Sequence, residues 1–191
     1  MTETAAQRRR RRTRAEVSRL AVGLFAEGGY AATSTEQVAA AADVSRSTLF
    51  RLFADKEDLL FGFEDDLLAT ASAAVAEVPA DVPPWAALRA AVVVIAERIA
   101  PLRDLLVVRE QVVATVPALG ARAAAKHRRW EAALADGLVT RGVPAPEALL
   151  LAKLVLACFE VAQEEWLAGD AGDLPGLLAA ALDRLPGLVD G

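Results

Sequence analysis

Apolar residues recur in this chain at the three- and four-residue spacing of helix faces, and no sustained alternation of β-branched residues is present. Ala and Leu dominate, and both residues favour helix. One early stretch illustrates the spacing, since a single helix face would carry Val17, Leu20, Ala21, Leu24 and Phe25. The sequence therefore predicts an all-α fold of about nine helices.

Cysteine and histidine are nearly absent, which excludes two classes of site. The 191 residues include one Cys and one His. A lone Cys cannot form an internal disulfide, and one Cys with one His cannot complete a zinc site. No run approaches the roughly 18 to 20 consecutive apolar residues of a membrane span. We expect a cytoplasmic protein that has no metal, no cofactor and no membrane contact.

Charge is divided unevenly along the chain. Residues 1–54 contain 9 Arg and 5 acidic residues, a net charge of +4, whereas residues 55–191 carry a net charge of −9. A basic module on an acidic body is typical of a protein that binds a polyanion at one end, because phosphate attraction depends on the local field. A solvated basic tail would give the same composition, so charge alone leaves both readings open.

Closely spaced helix starts mark the N-terminal part. Three pairs have the spacing of a capping box, namely Thr13 with Glu16, Ser34 with Gln37, and more loosely Asp55 with Asp58. The first helix is expected to end at Gly28, and only residues 43–45 separate a second helix, over 35–42, from a third. Such a short connection is typical of a helix-turn-helix.

The third helix combines a buried face with a polar one. Leu49, Leu52 and Phe53 would fold onto the first helix, which leaves small hydroxyls and arginines pointing outward. Arginine can bond guanine through two hydrogen bonds, and Ser or Thr can reach several base edges. The pattern favours a helix that reads the DNA major groove, and a solvated polar face is the alternative.

The segment from Thr33 to Leu59, TSTEQVAAAADVSRSTLFRLFADKEDL, closely resembles the DNA-binding signature of TetR-type transcriptional regulators. The resemblance covers roughly residues 13–62. It implies a helix-turn-helix DNA-binding domain at 13–62 and a helical effector-binding and dimerisation domain at 63–191. It also implies a homodimer on a palindromic operator, since two-fold symmetry matches two half-sites.

The resemblance also implies which residues contact DNA. The candidates are Thr33, Ser34, Ser45, Arg46, Ser47, Thr48, Phe50, Arg51 and Lys56. Thr33 and Ser34, at the start of the second helix, and Lys56 would meet phosphates. Ser45 would cap the third helix. The side chains of that helix that would face bases or backbone are Arg46, Ser47, Thr48 and Arg51. Phe50 stands where the family commonly has Tyr, so ring packing replaces a hydroxyl contact. Asp43 stands where Gly is common and tolerates positive φ.

Five consecutive arginines, Arg8–Arg12, precede the first amphipathic stretch. Such a run can imitate a twin-arginine export signal, but Glu16 and Arg19 interrupt the apolar segment that a signal requires. We expect residues 1–12 to form a basic disordered arm that contacts phosphates or a minor groove. A solvated tail without a DNA contact is the alternative.

The second region opens after Pro83 and Pro84, with helices expected over about 84–99, 101–114, 118–141, 146–168 and 175–186. The last two helices are apolar beyond one stripe and, by the resemblance, form the homodimer interface; burial inside one bundle is the alternative. A small lipophilic effector, in one reading an acyl thioester, would bind among Trp85, Arg109, Trp130, Phe159 and Gln163. His127 reads as part of a basic face and Cys158 as a small buried residue.

The leading hypothesis is a repressor that an effector releases from its operator, although an effector could instead promote binding. No Gly-rich phosphate loop, ordered Ser/His/Asp set or ligand cluster is present in the sequence, so we do not expect an enzyme. A helical protein-interaction bundle without specific DNA binding is the alternative function.

Overall fold

The computed structural model describes residues 4–169 and 172–189, and these ranges contain helices and no strand. The α-helices are α1 Ala5–Gly28, α2 Thr35–Ala41, α3 Arg46–Leu52, α4 Asp65–Ala76, α5 Pro84–Ile99, α6 Arg103–Ala114, α7 Pro117–Thr140, α8 Ala145–Ala168 and α9 Leu174–Val189. Short 3-10 segments lie at Glu57–Leu60, Gly62–Glu64 and Ala100–Leu102. The predicted all-α class is confirmed. Among these helices, none combines the length and apolar character that crossing a bilayer requires.

Two compact units make up the chain. Unit 1 comprises the residues up to 66 together with 104–124, and unit 2 comprises 67–103 and 125 onward. The segment 104–124 therefore packs with the N-terminal helices, although it follows them at a distance in sequence. The functional division into 13–62 and 63–191 stays a prediction.

The first helix begins earlier than the sequence analysis predicts. Residues 5–12 are helical, so the prediction of a disordered arm is wrong for them, and residues 1–3 lie outside the described residues. The physical reason is a complete capping box one turn before the arginines: the Gln7 N–H donates to Thr4 Oγ1 at 3.2 Å, and the Thr4 N–H donates to Gln7 Oε1 at 2.8 Å. Arginine also has a high helix propensity. Thr13 and Glu16 consequently lie inside the helix.

The core of unit 1 forms where the sequence pattern places it. Val17, Phe25, Val38, Leu49 and Phe53 are each at most 3% exposed. Burying side chains of this size stabilises a fold by about 1.5–3 kcal/mol each. The apolar face of α1 thus gives the two short helices α2 and α3 a surface on which to fold.

The expected fourth helix does not run continuously from residue 55. The Asp58 N–H donates to Asp55 Oδ1 at 2.7 Å, which confirms the looser cap, but two 3-10 turns precede α4. Gly62 begins the second of these turns, and a Cβ there would come within 2.8 Å of the Phe53 ring. The close approach of that ring requires glycine at this position.

Arg14 joins four separate backbone segments of unit 1. Its guanidinium donates to Asp58 through Nη2 at 2.8 Å and Nη1 at 3.0 Å, and it also donates to Asp65 and to the Leu52 carbonyl. It lies 4.5 Å from the centroid of the Phe53 ring. Because Asp58 lies in the first 3-10 segment and Asp65 is the first residue of α4, this one side chain links α1 to the end of α3, to that segment and to the start of α4.

A buried ion pair fixes α6 against the 3-10 segment Gly62–Glu64. Arg109 and Glu64 form a salt bridge in which their side chains are 3% and 8% exposed. The Arg109 guanidinium also pairs with Glu110 and lies near the rings of Phe61 and Phe63. A buried charge is tolerated when it is paired and hydrogen-bonded. The pair, together with the ion pair between Arg122 and Asp55, joins residues 104–124 to the N-terminal part of unit 1.

In unit 2 the helices pack closely around leucines that are fully buried, including Leu88, Leu134, Leu138 and Leu178. Gly137 of α7 sits where a Cβ would come within 2.6 Å of the Ser72 carbonyl oxygen on α4. Arg141 donates to the carbonyls of Pro79 and Val82, at 2.9 and 2.7 Å, and so holds the proline-containing connection before α5.

Removing one member of the buried pair of Arg109 and Glu64 should lower the free energy of unfolding. We expect Arg109→Ala to lower the free energy of unfolding by about 3–5 kcal/mol, because the Glu64 carboxylate stays buried without its arginine. The double change Arg109→Met with Glu64→Leu should cost much less, since it removes both charges and keeps apolar volume. Urea denaturation followed by circular dichroism measures both variants. If the single and double variants lose the same free energy of unfolding, an unpaired Glu64 carboxylate is not the cause of the loss.

Ionisation of the Asp58 carboxyl group should make the free energy of unfolding depend on pH. Burial opposes ionisation, but hydrogen bonds from Arg14 and from the Ala54 N–H outweigh it and hold the pKa of Asp58 below its ordinary value. A lowered folded-state pKa contributes stability above the unfolded value and loses it as pH falls through the folded value. We therefore expect the free energy of unfolding to decrease below about pH 4, with a smaller decrease in Asp58→Asn.

The exposed side chain of Asp136 on α7 provides the matched control. Asp136→Asn should retain the acid sensitivity of the wild type in the same series of denaturation curves. If Asp58→Asn and wild type lose stability in parallel as the pH falls, the ion pair with Arg14 does not contribute to folding.

Candidate nucleic-acid interface

Helix α3 is capped and oriented by the turn that precedes it. Ser45 Oγ accepts the Thr48 N–H at 3.2 Å and donates to Thr48 Oγ1 at 2.9 Å, so the predicted cap is present. Asp43 has a φ of 51°, in the left-handed region that the sequence analysis anticipates. The Val44 N–H donates to the Ala39 carbonyl at 3.0 Å and closes the end of α2. The turn thus sets the direction in which α3 starts.

One face of α3 is exposed while the other is buried. Leu49 and Leu52 lie in the core, whereas Thr48 is half-buried. The exposed side chains are those of Arg46, Ser47, Phe50 and Arg51. A helix that shows a guanidinium, a hydroxyl and an aromatic ring on one surface can offer the groove both hydrogen bonds and an apolar contact.

Arg46 is held in place on this surface without being buried. Its guanidinium lies 3.3 Å from a carboxylate oxygen of Glu36 and 5.6 Å from the centroid of the Phe50 ring. The ring itself is 48% exposed. Exposed ion pairs of this kind contribute little to stability, about 0–1 kcal/mol, so a base or phosphate can replace the carboxylate at low cost.

Ser34 and Thr33 differ in what they can offer to a phosphate. Ser34 is exposed at the N-cap of α2, where its Oγ accepts the Gln37 N–H at 3.2 Å. Thr33 is buried, its hydroxyl lies 3.0 Å from the Gly29 carbonyl and 3.2 Å from that of Leu24, and its N–H donates to Gly29. Both donors of Thr33 are used within the fold, and its expected phosphate contact stays a prediction.

Lys56 is more a structural residue than the sequence suggests. Its ammonium group donates to the Tyr30 carbonyl and lies 4.4 Å from the Tyr30 ring centroid and 5.4 Å from that of Phe25. Burial lowers the pKa of Lys56. The side chain packs against the end of α1, and a phosphate could use only its remaining N–H groups.

The five effector candidates do not lie together in one unit. Arg109 belongs to unit 1, while Trp85, Trp130, Phe159 and Gln163 belong to unit 2. Trp130 and Phe159 are buried, and Trp85 and Gln163 are half-buried. The Arg109 guanidinium pairs with Glu64 and Glu110, and its role in effector binding stays a prediction.

A cavity of about 200 Å³ in unit 1 is lined by Phe25, Ala26, Gly29, Tyr30, Gln111, Val112 and Thr115. Within the described part of the chain, its lining includes none of the five effector candidates. His127 Nδ1 lies 2.6 Å from a carboxylate oxygen of Glu160, so the basic face predicted for this part of α7 also has an acidic neighbour. Cys158 is buried as predicted, and burial raises the pKa of its thiol.

Helix α8 exposes large apolar side chains in a regular pattern. These are Leu149, Leu150, Leu154 and Val161. Spacings of four and seven residues place Leu150, Leu154 and Val161 on one helix face, whereas Ala152, Val155 and Phe159 of the same helix are buried. We call the exposed leucines and valine the α8 stripe.

The chain matches two known family models. The model of bacterial regulatory proteins of the TetR family matches residues 19–62, and the model of the MftR C-terminal domain matches residues 82–189. Over 193 residues the chain is 27% identical to MftR of Mycobacterium tuberculosis, a protein named as a mycofactocin biosynthesis transcriptional regulator, with 95% of this chain and 93% of that protein covered. Over 53 residues it is 47% identical to the HTH-type transcriptional regulator TcmR of Streptomyces glaucescens, which covers 28% of this chain and 24% of that protein.

Solved structures share the fold. A TetR-family transcriptional regulator from Syntrophomonas wolfei superposes with a TM-score of 0.66 at 18% identity and 96% coverage of both chains. Another from Mesorhizobium loti gives a TM-score of 0.57 at 21% identity, with 97% and 98% of the two chains covered. The second family model spans more than half of the sequence, and the first covers the helix-turn-helix. The chain belongs to the TetR family of DNA-binding transcriptional regulators.

Proposed function

We propose that this regulator is a homodimeric repressor that binds a palindromic operator through α3 and is released by a small lipophilic effector. The observation that carries the proposal is the two-sided character of α3: its leucines are buried, and its arginines, serine and phenylalanine are exposed. A helix fixed in this way can enter the major groove without rearrangement of the core.

Among the predicted contacts, the exposed ones are proposed to meet DNA. Arg46 would exchange Glu36 for a guanine edge or a phosphate, and the exposed Phe50 ring would meet a thymine methyl. Ser34, Ser47 and Arg51 would contact base edges or backbone. Ser45 and the half-buried Thr48 would act mainly by holding the first turn of α3.

The α8 stripe supports the proposal of a dimer. Apolar residues exposed on one helix face favour burial against an identical face, and a two-fold axis then presents two α3 helices to two half-sites. Helix α9 would take part, as the sequence analysis predicts. Lys153 lies between the apolar positions of the stripe and pairs with Glu131 at 2.8 Å, so its charge already has a partner.

Effector release requires that the ligand distinguish two states. A ligand with equal affinity for the DNA-bound and released forms shifts nothing, so the effector must prefer the released form. The aromatic residues Trp85, Trp130 and Phe159, together with Gln163, remain the proposed contacts in unit 2, and an acyl thioester is one ligand class that combines an apolar chain with polar groups.

Arg46→Ala tests the reading surface. Selection from a randomised duplex pool first supplies the preferred sequence, and fluorescence anisotropy then measures its affinity against random duplex. We expect Arg46→Ala to reduce the preference for the selected sequence by about 1–3 kcal/mol, because a two-bond contact to a base is lost. Arg128→Ala removes the same charge from an exposed site on α7 and should leave the preference unchanged.

If wild type enriches no sequence and its DNA binding disappears as salt rises, only the basic segment attracts DNA, and the interaction-bundle function gains support. If Arg46→Ala and Arg128→Ala lose affinity equally for all sequences, Arg46 does not read bases.

Leu150→Glu tests the dimer. The side chain is 59% exposed, so the change should leave the folded chain intact while placing a charge in the proposed interface. We expect the dimer dissociation constant to rise more than tenfold, or about 1.4 kcal/mol or more, with a parallel loss of operator affinity. Analytical ultracentrifugation over a concentration series measures the change. Val94→Glu on α5 is the control. If the two variants have the same dimer dissociation constant, the chain does not dimerise through the α8 stripe.

A further inference from the structure

Two arginines of α1 bind the C-terminal end of α3. Arg10 Nη2 donates to the Arg51 carbonyl oxygen at 3.0 Å, and Arg14 Nη1 donates to the carbonyl of Leu52. The last carbonyls of any helix lack partners within it. In a helix of seven residues these groups are a large share of the total, so their partners affect the whole element.

The positions of the two arginines follow from the continuity of α1. Arg10 and Arg14 are four residues apart, which places them on the same helix face about 6 Å apart along the axis. Because residues 5–12 are helical, Arg10 is held beside α3 rather than free in a disordered arm. Positive charge at a helix C-terminus is also favoured by the helix dipole.

We infer that Arg10 is a positioning residue for operator recognition. Together with Arg14 it fixes the C-terminal end of α3, while Ser45 fixes the N-terminal end, and the two ends set the angle at which the exposed face of α3 meets the bases. The inference rests on the proposed reading of an operator by α3. It assigns to one member of the arginine run a role that differs from phosphate attraction.

Positioning and phosphate contact have different signatures. A side chain that only contacts phosphate weakens binding to all sequences alike, and its loss reduces the dependence of affinity on salt. A side chain that orients α3 changes the ratio of operator to random-duplex affinity, because misaligned base contacts are the ones lost. Measuring both quantities separates the two roles.

Arg9 supplies a matched control on the adjacent residue. It is an exposed arginine of the same helix, about 100° around the axis from Arg10. Arg9→Ala and Arg10→Ala remove the same charge at neighbouring positions, and alanine preserves helix propensity at both. The two variants therefore differ in the hydrogen bond to α3.

The experiment compares wild type, Arg9→Ala and Arg10→Ala on the selected operator and on random duplex over a series of salt concentrations. We expect Arg10→Ala to lower the operator-to-random affinity ratio by about threefold to tenfold, the change that one net hydrogen bond produces. The ratio for Arg9→Ala should equal that of wild type. Hydrogen exchange at the last amides of α3 should become faster in Arg10→Ala and stay unchanged in Arg9→Ala.

If Arg10→Ala lowers both affinities equally and flattens the salt dependence as a phosphate contact would, the inference is wrong. It is also wrong if the two variants have the same affinity ratio. Arg10→Met keeps the long apolar stem and removes the donor, so it gives the same test if the alanine variant loses helical signal. A wild type without sequence preference would overturn the proposed operator reading itself, which distinguishes that failure from a loss confined to Arg10→Ala.

Discussion

A helix of seven residues is too short to hold its own conformation in water, where isolated helices shorter than about 12–15 residues are marginal. The exposed face of α3, the proposed reading surface, therefore depends on what holds the two ends of this helix. Ser45 satisfies the first turn, and guanidinium groups from α1 satisfy the last carbonyls. The buried leucines fix the face that points inward, and the exposed face follows from that constraint.

Charge has two distinct uses in unit 1. Exposed arginines on α1 and α3 give the N-terminal part its positive field, which attracts a polyanion without identifying a sequence. Arg14 and Arg109 are different, because both are largely withdrawn from solvent and paired with carboxylates. These two residues tie together segments that are far apart in sequence. Counting arginines along the chain could not separate the two groups.

The candidate DNA contacts illustrate how far sequence reasoning reaches. The family resemblance implied that Ser45 caps the third helix, and Asp43 was expected to tolerate positive φ; both features depend on neighbours within a few residues. Lys56 is different, because its ammonium group donates to the carbonyl of Tyr30, a residue that approaches it only in the folded unit. No local pattern reports that a lysine ammonium is already bound to a distant carbonyl.

The sequence by itself determined the helical class, the positions of most helices and the family signature of the helix-turn-helix, because periodicity and capping are local properties. Tertiary structure alone decided that 104–124 packs with the N-terminal helices and that Arg10 of α1 lies beside the end of α3. It also decided that the Arg109 guanidinium pairs with Glu64. These outcomes depend on contacts between charged groups and carbonyls that are distant in sequence. Tertiary packing determines such contacts, and spacing along the chain does not report them.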